Sequence, residues 1–356
     1  MRRSIFTWML LAMAVGFVSA QALTTADAVL VYYMPKTILA FDVEYTETTR
    51  TQGPFYQYAE RYLGTKDIVM ADEKVYELKD VEIHTKTVAD KERAYTFKPS
   101  GSQKANIILD AKGLLVSYNQ EPAVEKKSDV YDSRESREGH DGRPLAGKKA
   151  LKKNNIAPLS EEALFASSKA KMAEAAAKQI YRIREARTNL ISGDVEHMPT
   201  DSKMLDRMLD ELDEQEAELV ELFVGTTKVK RLHKTVYLTP EQDEQGKVLL
   251  RFSKFAGPVA ADDMSGEPVV LNMTVSKQEL QPAGEKQKAP AVSEVYYNLP
   301  GEAVVKVVDS KGKLLSRRTL PIAQFGVSVA LPQDLIRRKP HIIFNTRTGA
   351  IKSINE

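Results

Sequence analysis

Three stretches of this 356-residue sequence carry side chains whose type and spacing suggest chemistry. The run Gly142-Arg-Pro-Leu-Ala-Gly147-Lys148-Lys149 comes within one residue of a phosphate-binding loop. Such a loop cradles phosphate with backbone N–H groups, holds it with the lysine, and sets a Ser or Thr hydroxyl on magnesium. Lys149 stands where that hydroxyl belongs, and no strand precedes the run, so phosphate binding is not expected. Asp262 and Asp263, with Ser265 and Glu267 around Gly266, form a carboxylate-rich loop whose residue types suit Ca²⁺ or acid–base work. It lacks the alternating oxygen ligands of an EF-hand, and a solvated turn is the favoured reading. Phe55-Tyr56-Gln57-Tyr58, with Glu60, Arg61 and Tyr62, is the densest aromatic stretch. Exposed rings there would stack on a sugar or a partner peptide. Helical spacing turns Phe55, Tyr58 and Tyr62 toward the core, which leaves Tyr56 and Arg61 for contact. The candidate ligand- or partner-binding residues are therefore Tyr56, Arg61, Asp262 and Asp263.

No catalytic residue, metal site or cofactor is expected. His84, His140, His197, His233 and His341 are scattered and make no HxH or HExxH pair, so a zinc site has no local support. No GxSxG elbow occurs, and Gly326-Val-Ser328 reads as a core strand. The sequence has no cysteine, which excludes disulfides, thiolate metal sites and cysteine nucleophiles.

The elements that must position these residues are organised around residues 158–225, which read as an antiparallel αα-hairpin. Ser160 is the expected N-cap of the first helix, with Leu159 and Leu164 as a hydrophobic staple. Met172, Ala176, Ile180, Ile183 and Leu190 recur at helical steps, and Gly193 ends the helix. Pro199 and Thr200 open the second helix, with Thr200 as N-cap. Leu205, Met208, Leu212, Leu219 and Leu222 form a heptad-like seam, and Gly225 ends it. The first helix is basic toward its end and the second acidic from its start, which fixes an antiparallel orientation. Apolar residues beyond one seam, such as Phe165, Tyr181, Met204 and Phe223, call for a second covering surface: the rest of the protein or a partner.

On either side the pattern is β. Residues 21–118 form an N-terminal β-rich region in which Thr37–Thr49 and Val75–Thr87 alternate as strands do. A short helix opens at Pro54 and stops at Gly64. Residues 119–157 are crowded with charge and are expected to be a disordered linker. Residues 226–356 form a C-terminal β-rich region of short strands with regular turn signals. The expected fold is α+β, two sandwich-like β-rich regions flanking the inserted hairpin.

Residues 1–20 have the build of a secretory signal peptide: Arg2 and Arg3, an apolar core from Ile5 to Phe17, and the small-residue site Val18-Ser19-Ala20. The apolar run is shorter than the roughly 20 residues a membrane span needs. With no cysteine, a lipoprotein anchor is excluded. Of 51 basic and 49 acidic residues, cleavage removes Arg2 and Arg3 and leaves a neutral chain. Neutrality argues against a nucleic-acid or anionic-membrane binder.

Several runs resemble a family of secreted proteins from Bacteroidetes-type bacteria known as a domain of unknown function. They include Pro35-Lys-Thr37, Gly53-Pro-Phe-Tyr-Gln-Tyr-Ala-Glu-Arg-Tyr-Leu-Gly64, Ile180-Tyr-Arg-Ile-Arg-Glu-Ala-Arg187, Leu222-Phe-Val-Gly-Thr-Thr227, Ala261-Asp-Asp-Met-Ser-Gly-Glu-Pro268 and Ala323-Gln-Phe-Gly326. The resemblance implies an envelope or secreted location and carries no activity with it. The expected function is a non-enzymatic protein-interaction or structural component of the periplasm or cell surface, with the hairpin as the candidate surface for an envelope-protein partner. The alternatives are a carbohydrate- or small-ligand-binding module and a hydrolase with a fold-assembled site.

Overall fold

A computed structural model describes residues 22–23, 29–98, 106–119, 159, 168–196, 201–277 and 291–355. The expected signal peptide, the phosphate-loop-like run, His140, His197, Phe165 and almost all of residues 119–157 lie outside them. The described chain mixes helices with three antiparallel sheets.

Two long strands form the spine. β2 (Leu30–Thr51) and β3 (Glu73–Phe97) pair along nearly their whole length, with β1 (Ala22–Leu23) preceding them. The strand expected over Val75–Thr87 runs on to Phe97, and a bulge opposite Tyr33/Met34 takes up the residues between Asp90 and Ala94 so that the ladder continues. At about 3.3 Å per residue, 22 residues reach roughly 70 Å, long enough to serve two cores.

The first core lies between two sheets. One has the order β3-β2-β6, with β6 spanning Thr226–Leu238. The other has the order β11-β10-β9-β7-β8, built from β7 (Glu244–Ser253), β8 (Gly257–Val259), β9 (Glu267–Lys277), β10 (Tyr296–Val308) and β11 (Leu314–Ala330). Alternate residues point inward, as strand geometry dictates: Leu39, Phe41 and Val43 face Leu271 and Met273 and the run Ala303, Val305, Val307. β11 runs unbroken through Pro321 to Ala330, and Gly326 lets it approach β10 closely, because any Cβ there would strike the Leu299 carbonyl.

The second core gathers Tyr32, Met34 and Phe97 from the other end of the spine. They pack on the sheet β1-β4-β5-β12-β13, in which β4 is Ile107–Leu109, β5 Leu115–Tyr118, β12 His341–Phe344 and β13 Ile351–Asn355. Strands from before and after the helices thus share sheets and cores: β6 pairs with β2 from Leu39 to Thr51, and β12 pairs with β5.

The third core is helical. A 3₁₀ turn (Tyr56–Tyr58) leads into α1 (Ala59–Leu63), and α2 (Lys169–Ser192) packs on α3 (Ser202–Val224). Arg184 pairs with Glu216 and Arg187 with Asp213, so the two helices run antiparallel. The short helix α4 (Gln333–Arg337) belongs to the second core through Ile336.

Three local expectations need correction. The first helix is described from Ser168, whose hydroxyl accepts from the Lys171 N–H; Ser160 lies outside the described residues. The N-cap of α3 is Asp201 rather than Thr200, because its carboxylate reaches the Lys203 N–H. The helical start assigned to Pro54 moves to Tyr56, since the Phe55 N–H donates to the Leu222 carbonyl instead of entering the turn.

Candidate functional site

The four candidate residues do not converge. Tyr56 and Arg61 lie beside the helices, and Asp262 and Asp263 lie on a loop of the β11-β10-β9-β7-β8 sheet. The helical register holds for the first pair: Phe55 and Ala59 are buried, Tyr58 and Tyr62 pack against the same cluster, and Arg61 is exposed. The Arg61 guanidinium sits 5.5 Å over the Tyr62 ring. Tyr56 accepts a hydrogen bond from Gln57 at 3.0 Å. These partners are all local.

The acidic loop closes on itself. Asp263 Oδ1 accepts from the Ser265 N–H at 2.9 Å, and that bond holds its carboxyl below the ordinary range. Arg251 donates to the carbonyls of Ala261 and Gly266. Gly266 is needed because a Cβ would meet the backbone of Phe252 and Ser253 at 2.9–3.0 Å. Both aspartates are exposed, and the arrangement is that of a pinned crossover.

His84 Nε2 lies 3.0 Å from Glu82 and 3.6 Å from Asp42, two carboxylates on one open sheet face. Among the described residues no group of three His, Cys, Asp or Glu side chains is placed to hold a metal ion. A cavity of about 10 Å³ beneath Tyr33, Pro35 and Tyr296 is no larger than one water site. A depression of about 280 Å³ over Arg50, Asp72 and Lys74 is open to solvent, and Arg50 is paired with Glu73. The stack Tyr32–Tyr95–Tyr296, with centroids 5.8 and 4.9 Å apart, belongs to the second core, where burial pushes the Tyr32 hydroxyl well above its usual range.

Two polar or close-packed junctions escaped sequence reasoning. At the first, Thr37 and Gln324 clasp one another: Thr37 N–H donates to Gln324 Oε1 at 2.9 Å, Gln324 Nε2 returns to the Thr37 carbonyl at 2.9 Å, and Ala323 N–H donates to the Thr37 hydroxyl at 3.0 Å. Beside them the fully buried Asn298 donates to the Ala323 and Thr348 carbonyls. Arg93 joins in, held by Asp90 and donating to the Pro35 carbonyl. At the second, the end of α3 is set on the segment before α1. Gly53 lies so close that a Cβ would be 2.5 Å from the Leu222 carbonyl, and Gly225 (φ +82°) would place one 2.5 Å from the Thr51 carbonyl. Phe223 packs on Phe55 at 5.5 Å between centroids.

A family model described as Domain of unknown function (DUF4831) matches residues 29–352. The chain belongs to this family. No curated protein and no solved structure matches it. The DUF4831 match spans all three cores. Four of the runs that carry the sequence resemblance meet in pairs within it: Pro35–Thr37 on Ala323–Gly326, and Gly53–Gly64 on Leu222–Thr227.

The surface of α2 and α3 differs from the junctions. α2 buries residues along its length, from Ala173 to Leu190. α3 buries only Leu219 and Phe223, near its last turn. The seam is Leu205, Leu209, Leu212, Glu216, Leu219 and Phe223, one residue off the expected Met208 and Leu222. Docking of the helix end on Phe55 selects Phe223, and Met208 turns outward, 38% exposed. Met204, one turn earlier, is 57% exposed. Among the described residues no helix is long and apolar enough to cross a membrane.

Proposed function

We propose that this protein is a non-enzymatic interaction protein of the periplasm or cell surface, and that its helical hairpin, which has a core cluster of its own, is the surface that binds. The observation that carries the reading is the uneven burial of α3. Its base is locked into the third core by Leu219 and Phe223, while every residue from Asp201 to Glu218 is at least partly exposed and Met204 and Met208 lie open. Two exposed methionines on one helical stripe suit an adaptable binding face. Export is supported by the signal-peptide build of residues 1–20. Tyr56 and Arg61, at the hairpin's foot, are the proposed contacts nearest it; Asp262 and Asp263 serve the crossover.

The test is a pull-down from the cell envelope with the mature protein and with a version whose residues 158–225 are replaced by a short Gly/Ser linker. Circular dichroism and a cooperative melt must first show that the shortened protein folds. Specific partners that disappear with the hairpin are the expected result. The same partners from both proteins would refute the hairpin as the binding surface.

A further inference from the structure

We infer that the hairpin binds a second copy of this chain, forming a four-helix bundle in which α2 of each copy lies along α3 of the other. The inference rests on the reading of the hairpin as the binding surface and names its occupant.

The shape of the uncovered surface comes from the helical register. Met204, Met208, Glu211 and Gln215 follow one another at steps of four, three and four, so they form one stripe beside the packed seam. Met204 and Met208 are exposed at 57% and 38%, Glu211 is exposed, and Gln215 is half-buried with its amide donating to Glu211. Two such hairpins laid face to face would cover both stripes, as helical bundles do.

Charge selects the occupant. α2 carries six basic and two acidic side chains, and α3 carries eight acidic and two basic. Within one copy, Arg184 and Arg187 cross to Asp213 and Glu216. That leaves α3 strongly acidic and α2 still basic through residues such as the exposed Arg182. A surface with one basic and one acidic ridge is complementary to itself.

Charge also selects the symmetry. A two-fold dimer joins identical patches, and two face-to-face arrangements of a helical pair exist. A dyad lying across the helices sets α2 on α2 and α3 on α3, which opposes like charges. A dyad parallel to the helices sets each basic α2 on the acidic α3 of the other copy. That rotation keeps every residue at its own height along the bundle. The heights fixed by Arg184–Glu216 and Arg187–Asp213 then bring Arg182 level with Glu218 of the second copy. Both sheet-bearing bodies end up at the same end, with the two tips together at the other.

The chain contains no cysteine, so a single Ser192→Cys substitution gives one nitroxide label, at the exposed end of α2. Light scattering on the mature, full-length protein is expected to give twice the chain mass. The double variant Met204→Lys/Met208→Lys should be monomeric with an unchanged circular dichroism spectrum, both residues being exposed. Arg182→Glu should weaken association by about tenfold or more, the scale of a rim charge pair turned repulsive, and adding Glu218→Lys should restore it. Inter-label distances well below the ~36 Å length of a 24-residue helix are expected; distances of a helix length or more overturn the proposed symmetry. A monomer at every attainable concentration, or a dimer indifferent to the methionine changes, overturns the inference. If such a monomer still captures another envelope protein through its hairpin, the second copy is refuted and the hairpin reading stands; if it captures nothing, both fail.

Discussion

Replacing Phe223 by alanine asks whether the helices and their support form a stability unit separate from the sheets. The Phe223 side chain is fully buried, and the cluster around it contains only residues of the helices and of the segments flanking them. Truncating a buried phenylalanine to alanine costs about 3–5 kcal/mol, through lost transfer energy and the cavity left behind. Neighbouring Phe55 and Ala59 are anchored by the Phe55 N–H bond to Leu222, so collapse into the cavity is restrained and the full range applies. At about 1.4 kcal/mol per decade, the loss corresponds to roughly 10²- to 10⁴-fold faster opening-limited exchange. The assay is native-state hydrogen exchange resolved by segment. Amides around Ile180 and Leu219 should lose protection by that factor, while those around Phe41 and Val305 in the sandwich keep theirs. A loss smaller than tenfold in the helices, or an equal loss in the sandwich, would refute the separation.

Asn298→Ala strands the Ala323 and Thr348 carbonyls in a buried site, at about 1–3 kcal/mol for each lost partner; urea unfolding should show the midpoint fall with the slope unchanged. Glu47 is held below the ordinary carboxylate range first by the Lys74 ammonium at 2.8 Å, and also by the Tyr76 hydroxyl. A depressed folded pKa gives stability that is full above the unfolded-state pKa and is lost as pH falls through the folded one. The wild-type urea midpoint should therefore drop in mild acid, and Lys74→Met should flatten that drop while lowering the midpoint at neutral pH.

Periodicity within one element was legible from the residues alone. Phe55, Tyr58 and Tyr62 announce their inward face because only the helical step joins them, and the charge contrast of the two helices announces their antiparallel pairing. The turns at Asp110 and Asp309 are equally local: each carboxylate accepts two backbone N–H bonds, two and four residues on, a contact written within five positions of sequence. What failed to show was everything set by distant partners. Nothing near Thr226–Leu238 says that it will lie beside β2, because strand pairing depends on which edge the rest of the chain leaves open. Gln324 meets Thr37 across 287 positions, so no local spacing reports their clasp. The shift of the α3 seam to Phe223 has the same origin, since the heptad pattern does not contain Phe55. Of the candidate residues, Arg61 keeps the exposure the helical step assigns it while Tyr56 is half-buried, and the loop of Asp262 and Asp263 owes its form to Arg251 and Gly266.

The order β1-β4-β5-β12-β13 has a consequence for how the protein is made. Ile342 and Phe344 fill the core that Tyr32 and Met34 begin far earlier in the sequence. A ribosome therefore delivers the spine long before the strands that roof its far end. Until β12 arrives, β5 has a bare edge and the second core stands open, a state in which long pairings form slowly and unpaired strands are prone to aggregate. Completion of this fold waits on the arrival of β12 and β13, and a chain stopped before them is left with an unfinished sheet.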